Sequence, residues 1–287
     1  MQENIHILNN KILLKKLKEI PQPPKVLYMR GVFGASHHKF ITIVGSRKCS
    51  DYGKQIVDEI CKSLVGQPIT IVSGLANGID AHAHKCALTH NLHTISVLGS
   101  GLSENILRMH TNYKLAHKIL NSNSALISEY KPSMKSKPYM FPARNRIMVG
   151  LSDLVIIIEA RKKSGTLITA RMATDYNRDL LVIPNSIYSS HSKGSNELIK
   201  QGAYVYTEPK DIFNLLNLEY SELKINSYTP NKIEEEIIIA ISNNISDIQS
   251  LIDYLSKTYN ISQITQSLLN LEIEDVVKRV DGRYVVL

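Results

Sequence analysis

The sequence has no tryptophan, and its 287 residues include only three cysteines. Cys49, Cys61 and Cys86 show no Cys-x-x-Cys spacing, which argues against a disulfide framework and against a zinc site built on cysteines. Few, scattered cysteines are typical of a reducing cytoplasm. No apolar run approaches the roughly 20 residues that a membrane-spanning helix requires. The first ten residues also lack the charged-then-apolar order of a signal peptide. We therefore expect a cytoplasmic protein with no membrane partner.

Positive charge exceeds negative charge, and the excess is concentrated in one part of the chain. The formal net charge is +8. Between Lys131 and Arg178, ten basic residues stand against three acidic ones, whereas between Pro230 and Leu287 five basic residues stand against nine acidic ones. A local excess of cations is typical of a surface that binds a polyanion, although it can also serve only to keep a protein in solution. The first segment is therefore predicted to bind a polyanion.

Apolar runs of strand length alternate with helical patterns from residue 40 onward. The strand candidates are residues 41–44, 69–72, 94–98, 125–127, 154–158, 180–183 and 204–206. Between the first two runs, residues 53–65 place their apolar side chains on one helical face. Strands that are apolar at nearly every position are covered on both sides. The repetition therefore predicts an α/β domain over residues 39–217, with a Rossmann-like, doubly wound, mostly parallel sheet.

The flanking segments have different patterns. Residues 1–38 are predicted to be a lead-in with a helix at 10–19 and a brief strand at 26–28, and residues 218–231 have the composition of a linker. Residues 232–287 predict a small winged-helix-like domain, with helices at 233–241, 247–255 and 262–271 and a hairpin that turns at Asp281-Gly282. Because this segment is acidic and its third helix has no Lys or Arg, we expect it to bind protein or to self-associate rather than to bind duplex DNA.

Small residues follow the first three strand candidates of this domain. The turns contain Gly45-Ser46-Arg47, Ser73-Gly74 and Gly99-Ser100-Gly101. In an open parallel sheet, ligands bind at the carboxyl ends of the strands, where these turns fall. None of the turns matches the G-x-G-x-x-G fingerprint with a later acidic residue that binds a dinucleotide, and no cofactor is predicted.

A fourth turn, Ser164-Gly165-Thr166, follows the apolar run 154–158 and opens a helical pattern. The unpaired amides and the dipole at a helix start attract anions. The alternative for Ser164 is a plain N-cap. Five basic residues lie close by in the sequence: Arg144, Arg146, Arg161, Lys162 and Lys163. This neighbourhood is therefore predicted to hold an anionic ligand.

Several segments together resemble the DNA-processing protein A family, also called Smf or DprA. They are VGSRKCSDYG at 44–53, IVSGLANGIDAHAHKCAL at 71–88, TISVLGSG at 94–101, ISEY at 127–130, FPARNRIMVGLSD at 141–153, SGTLITARMA at 164–173 and GSNELIKQGA at 194–203. The resemblance implies a single-stranded DNA-binding protein with a Rossmann-like core. It further implies a homodimer that protects incoming DNA during natural transformation and loads the RecA recombinase.

The predicted DNA-binding residues come from these turns and from the segment before residue 154. They are Gly45, Ser46, Arg47, Ser73, Gly74, Lys137, Phe141, Arg144, Asn145, Arg146, Ser164, Gly165 and Thr166. The resemblance gives Arg47 a phosphate contact, with an ion pair to Asp51 as the alternative. Lys137 is expected to contact the DNA backbone.

Other residues of this set have open alternatives. One of Arg144 and Arg146 is expected to pair with Asp153 or Glu159 while the other faces DNA. Asn145 either contacts a base edge or caps a turn. Phe141 either stacks on a base or packs in the core, and it is one of four phenylalanines.

Two other function classes are alternatives to single-stranded DNA binding. A phosphoribohydrolase of the Lonely Guy type has glutamates directly after its P-G-G-x-G-T motif, whereas Leu167 and Ile168 follow Thr166 here. Without a carboxylate to move a proton, an enzyme is not predicted. A metal site could in principle be built from Asp80, His82 and His84. However, histidines at i and i+2 point to different sides of a helix, so no metal is predicted. A duplex-DNA regulator acting through the C-terminal segment is a third possibility that its acidity disfavours.

Overall fold

The computed structural model describes residues 4–8, 15–220, 230–243, 245–274, 276–280 and 282–286. They fall into two units that divide between Tyr220 and Ser221. In the first unit the described strands form one sheet. They are β1 (His6–Leu8), β2 (Leu27–Gly31), β3 (Lys39–Val44), β4 (Ile69–Ser73), β5 (His93–Val97), β6 (Ala125–Ser128), β7 (Leu154–Ile157), β8 (Asp179–Val182) and β9 (Tyr204–Val205).

The sheet is mostly parallel and reverses its winding at β3. Its strand order is β1-β2-β6-β5-β4-β3-β7-β8-β9. The pairs from β6 through β9 are parallel, and the two pairs that involve β2 are antiparallel. The chain winds outward from β3 in one direction through β4, β5 and β6, and then returns to β7 on the other side. This confirms the predicted doubly wound α/β sheet, and it places the topological switch point between β3 and β7.

Helices cover both faces of this sheet. They are α1 (Lys15–Lys18), α2 (Asp51–Ser63), α3 (Ile79–Thr89), α4 (Glu104–Leu107), α5 (Tyr113–Leu120), α6 (Met140–Leu151), α7 (Gly165–Asp175), α8 (Lys193–Lys200) and α9 (Lys210–Leu216). Neighbouring residues of β3 can pack on opposite faces of the sheet. Val44 packs in a core with residues of α6 and α7, whereas Ile43 packs in a second core with residues of α2, α3 and α9. Each fully buried aliphatic side chain contributes roughly 1.5–3 kcal/mol to this packing.

Two strands of the predicted lead-in segment, β1 and β2, join the sheet, and β2 includes most of the brief strand predicted at 26–28. β1 and β2 extend the sheet as antiparallel strands beyond β6. Residues 10–14 of the predicted 10–19 helix lie outside the described residues, and α1 covers Lys15–Lys18. Leu17 packs against Gly150 of α6, and Lys16 pairs with Asp153 at 2.6 Å. These contacts fasten the start of the chain to the main domain.

The second unit contains three helices and a hairpin among its described residues. They are α10 (Lys232–Ser242), α11 (Ile248–Leu255), α12 (Ile261–Ile273) and the antiparallel strands β10 (Val277–Val280) and β11 (Arg283–Val286). The side chains of Asn231, Asp247 and Asn260 cap the three helices, and the unit has an apolar core of its own. Most of the linker (221–229), Asp281 of the predicted turn and Leu287 lie outside the described residues. The winged-helix assignment stays a prediction.

None of the helices in the described part of the chain is both long enough and apolar enough to span a lipid bilayer.

Candidate functional site

A cavity of about 590 Å³ opens beside the carboxyl ends of β3 and β7, at the switch point. Four segments contribute to its wall: the turn after β3, the turn after β4 with the start of α3, helix α6 with the residues before it, and the turn that leads into α7. Nine of the thirteen predicted site residues lie in its wall: Gly45, Ser46, Arg47, Phe141, Arg144, Asn145, Ser164, Gly165 and Thr166. The structure thus brings together residues that are widely separated in sequence, as the convergence of parallel strand ends predicts.

The mouth of the cavity is strongly cationic. Arg47, Lys48, Arg161 and Lys163 line it and are exposed, and none pairs with a carboxylate within the described ranges of the chain. Asp51, the alternative partner of Arg47, pairs with Lys54 at 2.7 Å instead. Four positive charges therefore face solvent beside one cavity. Lys48 was not predicted, although it directly follows Arg47 in the same turn.

The Ser164 turn is an N-cap that also borders the cavity. Ser164 Oγ accepts a hydrogen bond from the Thr166 amide at 3.1 Å, and the two hydroxyl oxygens lie 3.0 Å apart. The plain N-cap, which is the alternative role predicted for Ser164, is therefore present. The surface of Gly165 remains open, because a Cβ added there would meet no atom within 4 Å. Thr166 is largely covered, so Gly165 is the most accessible residue of the Ser164-Gly165-Thr166 turn.

Arg144 is a buried structural residue, only 5% exposed. Its guanidinium donates hydrogen bonds to the carbonyls of Gly74, at 2.7 Å, and Val97, and it lies 3.8 Å from Asp80. Burial raises the pKa of Asp80, while the charge of Arg144 and hydrogen bonds from the amides of Ala76, Gly45 and Gly74 lower it. The Arg144–Asp80 pair thus ties together the turns that follow β3, β4 and β5.

Arg146 is also paired, so the expectation that one of the two arginines faces DNA is wrong. Arg146 donates to Glu129 at 2.5 Å, and both side chains are mostly covered. Neither arginine contacts Asp153 or Glu159, the partners predicted from the sequence. Asp153 binds Lys16, and Glu159 is fully buried and accepts hydrogen bonds from the amide and hydroxyl of Ser50.

Four predicted site residues lie outside the cavity wall: Ser73, Gly74, Lys137 and Arg146. Ser73 is completely buried, and its hydroxyl donates to the Ile43 carbonyl at 2.7 Å. Gly74 lies beneath Arg144, since a Cβ there would lie 2.1 Å from the guanidinium nitrogens. These two residues therefore shape the site without offering a ligand contact. Lys137 is exposed in the loop before α6, next to Pro138, which does line the cavity.

Asn145 and Ser46 use their polar groups within the protein. Asn145 Oδ1 accepts from Arg144 Nε at 2.9 Å, and its amide nitrogen donates to Thr169 Oγ1 at 3.0 Å. Ser46 Oγ donates to the Lys48 carbonyl at 2.8 Å. Asn145 therefore positions its neighbours. This role is closer to the predicted turn cap than to the predicted contact with a base edge. The ring of Phe141 is half-buried, packs near Gly99 and lies 5.9 Å from the guanidinium carbon of Arg47.

Asp80, His82 and His84 turn toward three different neighbours and form no common ligand set. Asp80 faces Arg144, His82 Nε2 lies 3.2 Å from Asp58, and His84 Nδ1 lies 2.7 Å from Thr94 Oγ1. Burial lowers the pKa of His84 to about 3. Its ring is therefore neutral at physiological pH.

Comparison with known proteins identifies the family. The family model described as DNA recombination-mediator protein A matches residues 5–217. The chain belongs to this family. It is 36% identical over 275 residues to Protein Smf of Escherichia coli, covering 92% of this chain and 72% of that protein. It is 37% identical over 210 residues to the DNA processing protein DprA of Bacillus subtilis, covering 72% of this chain and 70% of that one.

Two solved structures of DprA proteins share the fold of this family member. The X-ray structure from Streptococcus pneumoniae has a TM-score of 0.68 at 34% identity and covers 76% of each chain. The structure from Helicobacter pylori has a TM-score of 0.66 at 30% identity and covers 77% of this chain and 99% of that one. The Helicobacter structure was described for its single-stranded DNA binding mode.

Asp80 lies in the cavity wall although it is not among the predicted binding residues. It is the one acidic residue lining the cavity within the described residues, and Arg144 neutralises it. A usable signal was present, since Asp80 falls in the first turn of the helix that follows a glycine-rich turn. Acidic side chains there often bind backbone amides.

Proposed function

We propose that this protein binds single-stranded DNA at the switch-point cavity, breaks no bond in it, and works as a homodimer that hands the strand to a RecA-type recombinase. In this proposal it protects incoming DNA during natural transformation. The observation that carries the proposal is the meeting of a half-buried aromatic ring with four exposed cations at one cavity, none of which has a carboxylate partner among the described residues. Phosphates of a polynucleotide would occupy the cationic mouth, and a base would reach the ring of Phe141.

A single strand fits this arrangement better than a duplex. Only an unpaired base can turn out of its strand and lay its face on an aromatic side chain. The cavity opens between turns at the carboxyl ends of the strands, and its four exposed cations come from turns. A duplex reader instead places its contacts along one recognition helix. The Helicobacter relative, whose structure covers the same domain, supports the same class of ligand.

The cavity is poorly equipped for catalysis. The Asp80 carboxylate is paired with Arg144 and accepts hydrogen bonds from backbone amides. Ser164 is committed to its cap, and Leu167 and Ile168 follow Thr166 where a phosphoribohydrolase has glutamates. General acid–base chemistry needs a carboxylate or histidine within hydrogen-bond reach of the substrate. The described lining offers only Asp80 for that role. We therefore propose binding without catalysis. Release of free adenine from AMP by the purified protein would contradict this.

Strand preference is the direct test of the DNA proposal. Fluorescence anisotropy with a labelled oligo(dT) and with a duplex of equal length should show at least tenfold tighter binding of the single strand at about 0.1 M salt. A salt titration should give a negative slope of about 0.7 per phosphate contacted. Equal affinity for both forms, or no dependence on salt, would overturn the proposed function.

A strand-exchange assay with a RecA-type recombinase on strands precoated with single-strand-binding protein tests the mediator step.

Phe141→Leu should weaken binding to oligo(dT) by about 5- to 150-fold, because stacking of one base on an aromatic ring contributes roughly 1–3 kcal/mol. Leucine fills much of the space beside Gly99 but has no aromatic face. Phe141→Tyr keeps the ring and serves as the matched control, with affinity within about twofold of the original. Equal affinities of the Leu and Tyr variants would show that Phe141 only packs.

A further inference from the structure

Outside the cavity, three side chains able to bind a metal converge where α2 and α3 pack together. Asp58 lies on α2, His82 and Cys86 lie on α3, and their ligand atoms all fall within 4.8 Å of one another. His82 Nε2 lies 3.2 Å from Asp58 Oδ1, and the Cys86 thiol donates a hydrogen bond to the same oxygen. Among the described residues, no other group of three or more His, Cys, Asp or Glu side chains has this spacing.

The helical positions explain the convergence. His82 and Cys86 are four residues apart on α3 and therefore lie on the same face, one turn apart. Helical pairs with this spacing hold zinc in many proteins. In a tetrahedral zinc site with Zn–N of about 2.0 Å and Zn–S of about 2.3 Å, neighbouring ligand atoms are about 3.3–3.8 Å apart. His82 Nε2 and Asp58 Oδ1 are 3.2 Å apart, the Cys86 thiol is in hydrogen-bond contact with the same oxygen, and all ligand atoms lie within 4.8 Å of one another. Small rotamer changes can therefore bring them around an ion.

We propose that Asp58, His82 and Cys86 bind a divalent, thiophilic cation of the zinc type, with solvent in the fourth position. The mixture of one sulfur, one imidazole nitrogen and one carboxylate oxygen suits zinc and disfavours magnesium or calcium, which prefer oxygen alone. Asp58 is more than half exposed, His82 is partly exposed and Cys86 is buried. A cation can therefore enter from the solvent side and reach a sulfur covered by the core.

Binding requires the loss of one proton. A hydrogen bond with Cys61 and burial raise the pKa of the Cys86 thiol, so the thiol form is favoured before the cation arrives. The cation forms a bond to sulfur as the thiol proton passes to solvent. One thiolate and one carboxylate then balance the two positive charges of the ion, which leaves a neutral cluster at the protein surface.

The proposed ion would link two helices that begin beside the cavity. α2 starts at the cap formed by Ser50 after the Arg47 turn, and α3 carries Asp80 in its first turn. A cross-link one to two turns further along would hold these helix starts in register. The proposed site does not depend on DNA binding, and its test uses no DNA.

The test is zinc affinity of the full chain under a phosphine reductant, measured by competition with a chromophoric chelator. We expect one site per chain, and a rise in the melting temperature of about 5–10 °C at zinc concentrations near 100 times Kd. Cys86→Ala and His82→Ala should each lower zinc affinity at least about 100-fold. Co²⁺ should give a sulfur-to-metal charge-transfer band that Cys86→Ala removes.

Two further variants keep the test decisive. Asp58→Asn changes an exposed helix surface and should fold normally while lowering affinity at least about tenfold. Cys49→Ala removes a cysteine outside the trio and should bind zinc like the original chain. Failure of the original chain to bind zinc more tightly than about 10 µM would overturn the proposal. So would equal affinity in the Asp58, His82 and Cys86 variants.

Discussion

Replacement of Arg47, Lys48, Arg161 and Lys163 together by alanine should lower affinity for oligo(dT) by about three orders of magnitude at about 0.1 M salt. These four cations line one cavity and have no carboxylate partners in the described chain, and Arg161 contacts only the neutral or cationic ring of His191. No described carboxylate therefore competes with a phosphate for them. A charge-assisted contact at an exposed site contributes about 1 kcal/mol after solvent screening. The slope of log affinity against log salt should also become less negative by about 2.8, because about 0.7 is lost per phosphate on a single strand.

A second set of four substitutions controls for net charge. Lys25, Lys118, Lys200 and Lys210 are exposed, lie outside the cavity wall and can be changed to alanine together. This control removes the same total charge, and we expect an affinity loss of less than about tenfold. Comparable losses in both quadruple variants would mean that DNA is held by diffuse charge rather than at the cavity, and the site assignment would then be wrong.

The sheet could be predicted from the sequence because its central strands are apolar on both faces. Runs such as 154–158 leave no polar side for solvent, which only a covered parallel strand tolerates. All seven strands predicted within residues 39–217 are present within a residue or two of their expected ends. β1 could not be predicted, because His6–Leu8 is a three-residue strand whose first two side chains are exposed. Its pairing with β2 depends on tertiary contact rather than on a local pattern.

The location of the site could be predicted, but the roles of its side chains only in part. Small residues after parallel strands indicate where a backbone turns, and the convergence of strand ends follows from topology. Whether an arginine faces solvent or the interior depends on partners elsewhere in the fold. Arg144 is committed to Asp80 and to the carbonyls of two turns, and no local spacing reveals this. The same holds for Asn145, whose two polar groups are both used internally.

The His82–Cys86 pair was overlooked for a related reason. The i and i+2 spacing of His82 and His84 separates their rings, and the cysteines show no Cys-x-x-Cys spacing, so neither pattern indicates this pair. A search for mixed His and Cys at i and i+4 finds the pair at once. Its third member, Asp58, comes from another helix, so only the packing of α2 on α3 reveals the cluster.

Arg144→Met should destabilise the first unit by about 3–5 kcal/mol, the usual cost of removing one partner of a buried ion pair. Asp80 would be left buried without its counter-charge, and the carbonyls of Gly74 and Val97 would lose their donor. Because the chain has no tryptophan, urea unfolding followed by far-ultraviolet circular dichroism is the suitable measurement. Arg146→Met is the matched control. It should cost less, about 1–2 kcal/mol, since its partner Glu129 retains some contact with solvent.

The pH dependence of this loss identifies its cause. Burial raises the pKa of Asp80, and removal of Arg144 takes away the charge that opposes this rise. An acid whose pKa is higher in the folded than in the unfolded state stabilises the fold at low pH and loses that contribution as pH rises. The deficit of Arg144→Met relative to the original chain should therefore be larger at pH 8 than at pH 5. Adding Asp80→Asn should recover part of the stability and remove the pH dependence. A deficit that is the same at both pH values would assign the loss to the two carbonyls instead of the carboxylate.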